Sequence, residues 1–243
     1  MKPAFGTLRV YEDATGLAHA GADYLCDLAA GNAGRTLIAL SGGNTPKPLY
    51  ERLGEEPIKS RLPWDRVEWV LGDERFVPPT DPASNYRMAQ EAFLDSAPVP
   101  PDNVHPVQTV GVTLEESAER YEAMLKGLYG ADTLQTDRPL LNLTLLGLGD
   151  DGHTASLLPG QQVLKERKRW VAAVPQGREE ERITLTYPAL DSSAVVAFLV
   201  AGAGKREILD KILSGDTNFP AAHIRPVGEV IWFADREAAG RWA

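Results

Sequence analysis

Residues 146–160 read LGLGDDGHTASLLPG, which puts three glycines, two carboxylates and a histidine between two apolar stretches. His153 follows Asp151 by two residues. A carboxylate beside an imidazole fixes its tautomer and supports its protonated form, so the pair suits acid–base chemistry near neutral pH. The plainer alternative is a hydrogen-bonded structural histidine. His19, His105 and His223 lack such company and read as structural or surface residues. The spelling Gly147-x-Gly149-x-x-Gly152 also matches a dinucleotide fingerprint. Asp150 and Asp151 would repel the pyrophosphate at that spot. The acidic residue required about twenty positions on is replaced by the charged run Lys165–Arg169. No nicotinamide, flavin or other cofactor is expected. Asp150, Asp151 and His153 are too crowded in sequence to supply three converging ligands, so no metal is expected either.

Three other segments carry compatible chemistry. Ser41-Gly42-Gly43-Asn44-Thr45-Pro46 joins a strand to a helix, where free N–H groups and the helix dipole suit a phosphate or carboxylate. A tight turn before a capped helix reads equally well. No Gly-Lys-Ser/Thr follows, so it is not a Walker loop. Gly72-Asp73-Glu74-Arg75 offers a guanidinium that can hold a phosphate or a developing oxyanion. Asp73 could orient a water, a hydroxyl or Arg75, against a surface ion pair as the plain reading. Lys205 sits in the first turn of a helix, where the dipole disfavours a cation, so an anionic ligand or a carboxylate should hold it. Arg182 opens an apolar strand and is either a surface arginine or a third cation.

The elements that position these segments alternate. Strands are expected at Thr7–Tyr11, Thr36–Leu40, Val67–Leu71, Leu140–Leu146, Val171–Val174, Arg182–Thr186, Val195–Val200 and Glu229–Phe233. Helices are expected at Asp13–Ala30, Pro46–Leu53 with Thr45 as cap, Ser84–Leu94 capped by Ser84, Glu115–Tyr129 and Gly204–Leu213, with a short one at the end. The Pro-rich stretches Phe76–Pro82 and Ala97–Pro106 read as ordered loops. Apolar strands alternating with helices predict an α/β, doubly wound, Rossmann-like domain over residues 1–243. Its sheet would be largely parallel with helices on both faces, and residues 160–190 fit a small antiparallel addition. In such sheets ligands lie beyond the carboxyl ends of the strands. Leu40, Leu71, Leu146 and Val200 each lead at once into a polar, glycine-bearing segment. That conjunction is far more specific than any one segment.

Composition limits the partners. The 243 residues carry a net charge of −9, which argues against nucleic acid and anionic membranes. A local cluster of cations can still bind an anionic small molecule. Cys26 is the single cysteine, in a helical pattern that reads as a buried structural thiol. No apolar run approaches the roughly 18 residues of a membrane span, and MKPAFGTLRV lacks a signal-peptide core. A cytoplasmic protein, monomeric or a small homo-oligomer, is the expectation.

Together the segments resemble the 6-phosphogluconolactonase family. The resemblance spans almost the whole chain: Ser41–Pro46, Gly72–Pro78 with Ser84-Asn85-Tyr86, Gly147–Ser156, Arg182–Thr186, Gly202–Lys205 and Ala234-Asp235. It implies hydrolysis of a sugar-phosphate lactone, 6-phospho-D-glucono-1,5-lactone, to 6-phosphogluconate in the pentose phosphate pathway without a redox cofactor. The glucosamine-6-phosphate deaminases share the fold but continue the Asp-Gly-His loop into Asn-Glu-Pro. Here Leu157-Leu158-Pro159 stands instead, and Leu158 cannot supply the carboxylate that ring opening and proton relay need. Thr80-Asp81-Pro82 stands where members often carry a His.

The resulting expectation has a phosphate on the Gly42–Thr45 N–H groups beside Ser41 and on Lys205, with Arg182 or Arg75 contributing. His153, oriented by Asp151, activates water. Arg75 or the Gly147–Gly152 N–H groups meet the oxyanion, and Asp73 touches substrate or braces its loop. Ser41 and Ser156 lie in no Gly-x-Ser-x-Gly elbow and are not expected to be nucleophiles. A non-catalytic sugar-phosphate sensor on the same fold is the competing class; it would need no Asp-Gly-His.

Overall fold

The computed structural model describes residues 2–243. Ten strands form two sheets. The main sheet uses β1 (Thr7–Tyr11), β2 (Thr36–Leu40), β3 (Val67–Leu71), β5 (Val104–His105), β6 (Leu141–Gly147), β9 (Ser193–Val200) and β10 (Glu229–Asp235). Their spatial order is β1-β10-β9-β6-β2-β3-β5, and all neighbours are parallel. The small sheet orders β4 (Asp73–Arg75), β8 (Arg182–Leu185) and β7 (Val171–Val174), all antiparallel.

Every residue of β2 and β3 is buried, as a sheet covered on both faces requires. The helices are α1 (Ala14–Gly31), α2 (Lys47–Leu53), α3 (Ile58–Arg61), α4 (Asn85–Ala89), α5 (Leu114–Tyr129), α6 (Tyr187–Asp191), α7 (Arg206–Leu213) and α8 (Arg236–Ala239). Asp13 caps α1 through Gly16 N–H, and Ser84 caps α4 through Arg87 N–H, the latter as the sequence predicts. Helix α5 starts in a capping box between Thr113 and Glu116. Its inner face is Ala118, Tyr121 and Leu125.

Several boundaries differ from expectation. Thr45 is not a cap: α2 begins behind Pro46, with no side-chain bond to its first turn. The Ser84–Leu94 helix is α-helical only to Ala89 and continues as a π turn over Gln90–Leu94. Lys205 ends a 3₁₀ turn, Ala203–Lys205, that leads into α7. Strands β4 and β5 are additions to the expected set. Strand β5 lies within the Pro-rich 97–106 stretch and gains its strand character only from pairing with β3. Strand β4 is three charged residues, with no apolar alternation to reveal it. It joins the expected antiparallel addition by pairing with β8.

The four strands that feed the polar segments are β2, β3, β6 and β9, and they are contiguous in the sheet as β9-β6-β2-β3. Being parallel, they deliver all four segments to one end. Among the described residues no helix is long and apolar enough to cross a membrane.

Candidate active site

A cleft of about 320 Å³ opens at that end. Ser41, Gly42, Gly43, Asn44, Thr45, Asp73, Arg75, His153, Arg182 and Lys205 all line it, with Asn85, Gly147–Gly149, Thr154 and Ala155. The four segments thus converge on one concave surface of ligand-binding size. Asp151 does not line the cleft but stands behind His153.

The loop after β6 holds His153 rigidly. Gly149 N–H donates to the His153 carbonyl (2.8 Å), and Gly152 N–H donates to the Gly149 carbonyl (3.0 Å). The imidazole lies on Gly149 so closely that a Cβ there would fall 1.9 Å from Nδ1. Here glycine is required by contact. Ala155 is held at φ 46°, a left-handed conformation costly for alanine, and it also lines the cleft. Asp151 Oδ1 accepts from His153 Nδ1–H at 2.6 Å and from the His153 backbone N–H at 3.2 Å. With Nδ1 donating to the carboxylate, Nε2 is left as the acceptor. Asp151 Oδ2 accepts from Arg178 Nη2 at 2.7 Å. Burial pushes the Asp151 carboxyl up, but the hydrogen bonds from His153 and the Arg178 charge outweigh it and hold the carboxyl at about 2.

Asp73 is a brace. It is buried, accepts from Ser156 Oγ (2.6 Å) and Asn85 Nδ2 (3.3 Å), and lies 4.0 Å from Arg182. The Ser156 hydroxyl is spent on this bond, which ties the His153 loop to β4. Glu74 turns the other way, accepting from the N–H groups of Arg75, Asn85 and Tyr86 and from Ser84 Oγ. Burial pushes its carboxyl up, and these donors oppose the rise. The clamp fixes the start of α4 and so Asn85, whose Oδ1 would lie 1.9 Å from a Cβ on Gly42. The Ser41–Thr45 turn is pinned from below by Tyr50, whose hydroxyl accepts from Ser41 N–H (2.8 Å) and donates to the Ser41 carbonyl (2.9 Å).

Arg75 donates to the Ala83 carbonyl (2.6 Å) and Arg182 to Glu180 (3.3 Å). In both guanidinium groups Nε is buried without a partner. Burial pushes the Arg182 guanidinium pKa down, Asp73 opposes that and Arg75 adds to it. Lys205 pairs with Asp150, the carboxylate its helix-terminal position called for, and this pairing lowers the Asp150 carboxyl. The Gly202 turn before Lys205 is fixed by Asp235, which accepts from Gly202 N–H (2.8 Å) and caps α8. Asp81 accepts from Ala83 N–H (2.8 Å), outside the cleft lining, and so shapes the loop that receives Arg75. Leu158 is 5% exposed and in the core. Its position also lies outside the cleft lining.

Sequence reasoning missed Arg178 and gave Asn85 no role. Arg178 sits in the run Arg178–Glu181, which reads as a solvated surface stretch, and nothing local marks its partner 27 residues away. Asn85 adjoins the cap Ser84, which masks any second function. Among the described residues no three His, Cys, Asp or Glu side chains gather as a metal site.

The family model described as glucosamine-6-phosphate isomerases/6-phosphogluconolactonase matches residues 12–232. A 6-phosphogluconolactonase from Nostoc sp. is 39% identical over 238 residues, which cover 96% of each chain. The crystal structure of a 6-phosphogluconolactonase from Thermotoga maritima superposes with a TM-score of 0.80 at 31% identity, covering 94% of this chain and 99% of that one. A monomeric glucosamine-6-phosphate deaminase has the same TM-score, 0.80, at 22% identity, covering 96% of this chain and 98% of that one, a likeness of fold alone. The chain belongs to the glucosamine-6-phosphate isomerase/6-phosphogluconolactonase family.

Proposed function

We propose that the protein is a 6-phosphogluconolactonase, which hydrolyses 6-phospho-D-glucono-1,5-lactone to 6-phosphogluconate in the oxidative pentose phosphate pathway. The observation that carries this reading is the Asp151–His153 pair. It leaves Nε2 as a base on the rim of a cleft that also holds Arg75, Arg182 and Lys205. The phosphate binds the cationic side of the cleft, on Lys205 and the Gly42–Thr45 N–H groups, with Arg182 or Arg75 as a bidentate partner. That anchor sets the lactone carbonyl beside His153.

His153 Nε2 takes a proton from water as the water oxygen bonds to C1. The oxyanion is met by Arg75 or by N–H groups of the Gly147–Gly152 loop. The C1–ring-oxygen bond then breaks, and the His153 proton passes to the leaving ring oxygen. The product carboxylic acid ionises at neutral pH. General-base assistance of this kind contributes roughly 10²–10⁴-fold. The buried Leu158 supplies no second carboxylate for the carbon-to-carbon proton relay of an isomerase. The test is acid release from freshly made 6-phosphogluconolactone at about pH 7, followed by pH-stat with and without enzyme. A rate no faster than the spontaneous one, with ligand still bound, would replace this reading with a sugar-phosphate sensor.

A further inference from the structure

Arg178 is the one cation at the site whose contact is with the acid–base pair rather than with the cleft. It comes from the loop between β7 and β8, and its Nη2 lies 2.7 Å from Asp151 Oδ2 and 3.2 Å from His153 Nδ1. Nδ1 and Nη2 are both donors, so they do not bond each other; they share the two oxygens of one carboxylate. Arg178 is half exposed and is absent from the cleft lining.

We infer that Arg178 is a positioning residue for His153: it occupies the second oxygen of Asp151, fixes the carboxylate that orients the imidazole, and sets a positive charge beside the ring. This rests on the reading of His153 as the base. Two physical consequences follow from the geometry. A carboxylate held at one oxygen only can rotate about its Cβ–Cγ bond; one held at both cannot, and the ring it orients shares its order. A guanidinium this close to Nδ1 also opposes a second positive charge on the ring. The other charges near the pair are Asp150, itself engaged by Lys205, and the Arg182–Glu180 pair. Each of these is paired with its own partner, and Arg178 is the cation that lies 3.2 Å from the ring.

The experiment is the pH profile of kcat/KM and kcat for the full-length enzyme and for Arg178→Gln, Arg178→Lys and His153→Ala, with 6-phosphogluconolactone as substrate. In Arg178→Gln the ascending limb should move up by roughly 0.5–1 pH unit, the size of one screened charge at this range. At pH 6.5 kcat should fall about three- to tenfold, should recover in part by pH 8, and KM should stay within twofold. Arg178→Lys should restore most of the limb position. An unmoved ascending limb in Arg178→Gln, or a loss confined to KM, overturns the inference while leaving His153 as base. Normal turnover by His153→Ala removes the base reading itself, and the inference with it. The side chain is half exposed on a loop, so an unchanged Tm in Arg178→Gln is expected and separates positioning from unfolding.

Discussion

Arg75 and Arg182 are direct cross-strand partners, set opposite each other by the antiparallel pairing of β4 with β8, and both line the cleft. Like charges facing each other across a ladder are destabilising. Here each also keeps a buried, unpartnered Nε. Asp73 and Glu180 offset part of this on the Arg182 side. Two guanidinium groups held together against repulsion have the makings of the proposed anion site, and a bound phosphate ester should relieve the strain. Ligand at about 100 times its Kd adds roughly 2.7 kcal/mol to stability, which for a domain of this size is a Tm rise of about 5–10 °C. 6-Phosphogluconate should give such a rise in the parent protein and less than a third of it in Arg182→Met. Equal shifts by differential scanning fluorimetry would take Arg182 out of the anion site.

Asp151 links the site to acid stability. Its carboxyl falls from an ordinary 3.8 to about 2 in the folded protein. A depressed carboxyl stabilises the fold at pH values above its unfolded pKa, and that contribution is lost as pH falls through the folded value. The Asp151→Asn variant should therefore be less stable than the parent at pH 6. The gap should close between about pH 4 and pH 2. The group is exposed enough that solvent screening keeps the gap under about 1 kcal/mol. Urea unfolding at pH 6, 4 and 2.5 measures it; a gap that stays constant or widens toward acid would mean that Asp151 is not held ionised by His153 and Arg178.

The parts of the site legible in the sequence were those encoded locally. Strands β2 (TLIAL) and β3 (VEWVL) are mostly apolar runs ending in polar turns, so their limits and the segments they deliver could be read from five residues each. Asp151 and His153 are two apart, and their bond follows from that spacing. What could not be read depends on pairing between distant segments. Strand β4 exists because β8 lies beside it, 107 residues on at the Arg75–Arg182 pair. Asp73 was open between substrate contact and brace, and Ser156 from the His153 loop and Asn85 from the start of α4 make bracing contacts with it. Arg178 is a charged residue among charged residues until the fold carries it to Asp151.

Lys205 and Asp150 should respond to mutation in opposite directions. In the unliganded protein Asp150 occupies the ammonium that the phosphate is proposed to take. Asp150 is itself exposed, and such pairs contribute at most about 1 kcal/mol, or roughly fivefold in affinity. Lys205→Ala should raise KM for the phosphorylated lactone by about tenfold or more and leave an unphosphorylated lactone nearly unaffected. Asp150→Asn should lower KM for the phosphorylated lactone by up to about fivefold. If Asp150→Asn raises KM instead, Asp150 is holding Lys205 in its binding position and is not competing with the phosphate.

Two glycines test whether precision or stability limits turnover. At Gly149 an added Cβ would fall 1.9 Å from His153 Nδ1, so the imidazole must leave its place. At Gly42 the same addition would meet Asn85 Oδ1 at 1.9 Å, and Asn85 is fixed by its bonds to Asp73. The two clashes fall on different functions. Gly149→Ala displaces a side chain at the surface of the loop, so kcat should fall at least tenfold with Tm nearly unchanged and KM within about twofold, because a misplacement of about 1 Å can cost about 10²-fold. Gly42→Ala pushes against a buried, hydrogen-bonded amide that cannot yield, so Tm should fall by several degrees, with a loss of about 1–3 kcal/mol as in other overpacked sites, and KM should rise as the phosphate turn shifts. Steady-state kinetics with thermal unfolding of both variants separates these outcomes. A Gly149→Ala enzyme with normal kcat would show that the imidazole position seen against Gly149 is not the one used in turnover.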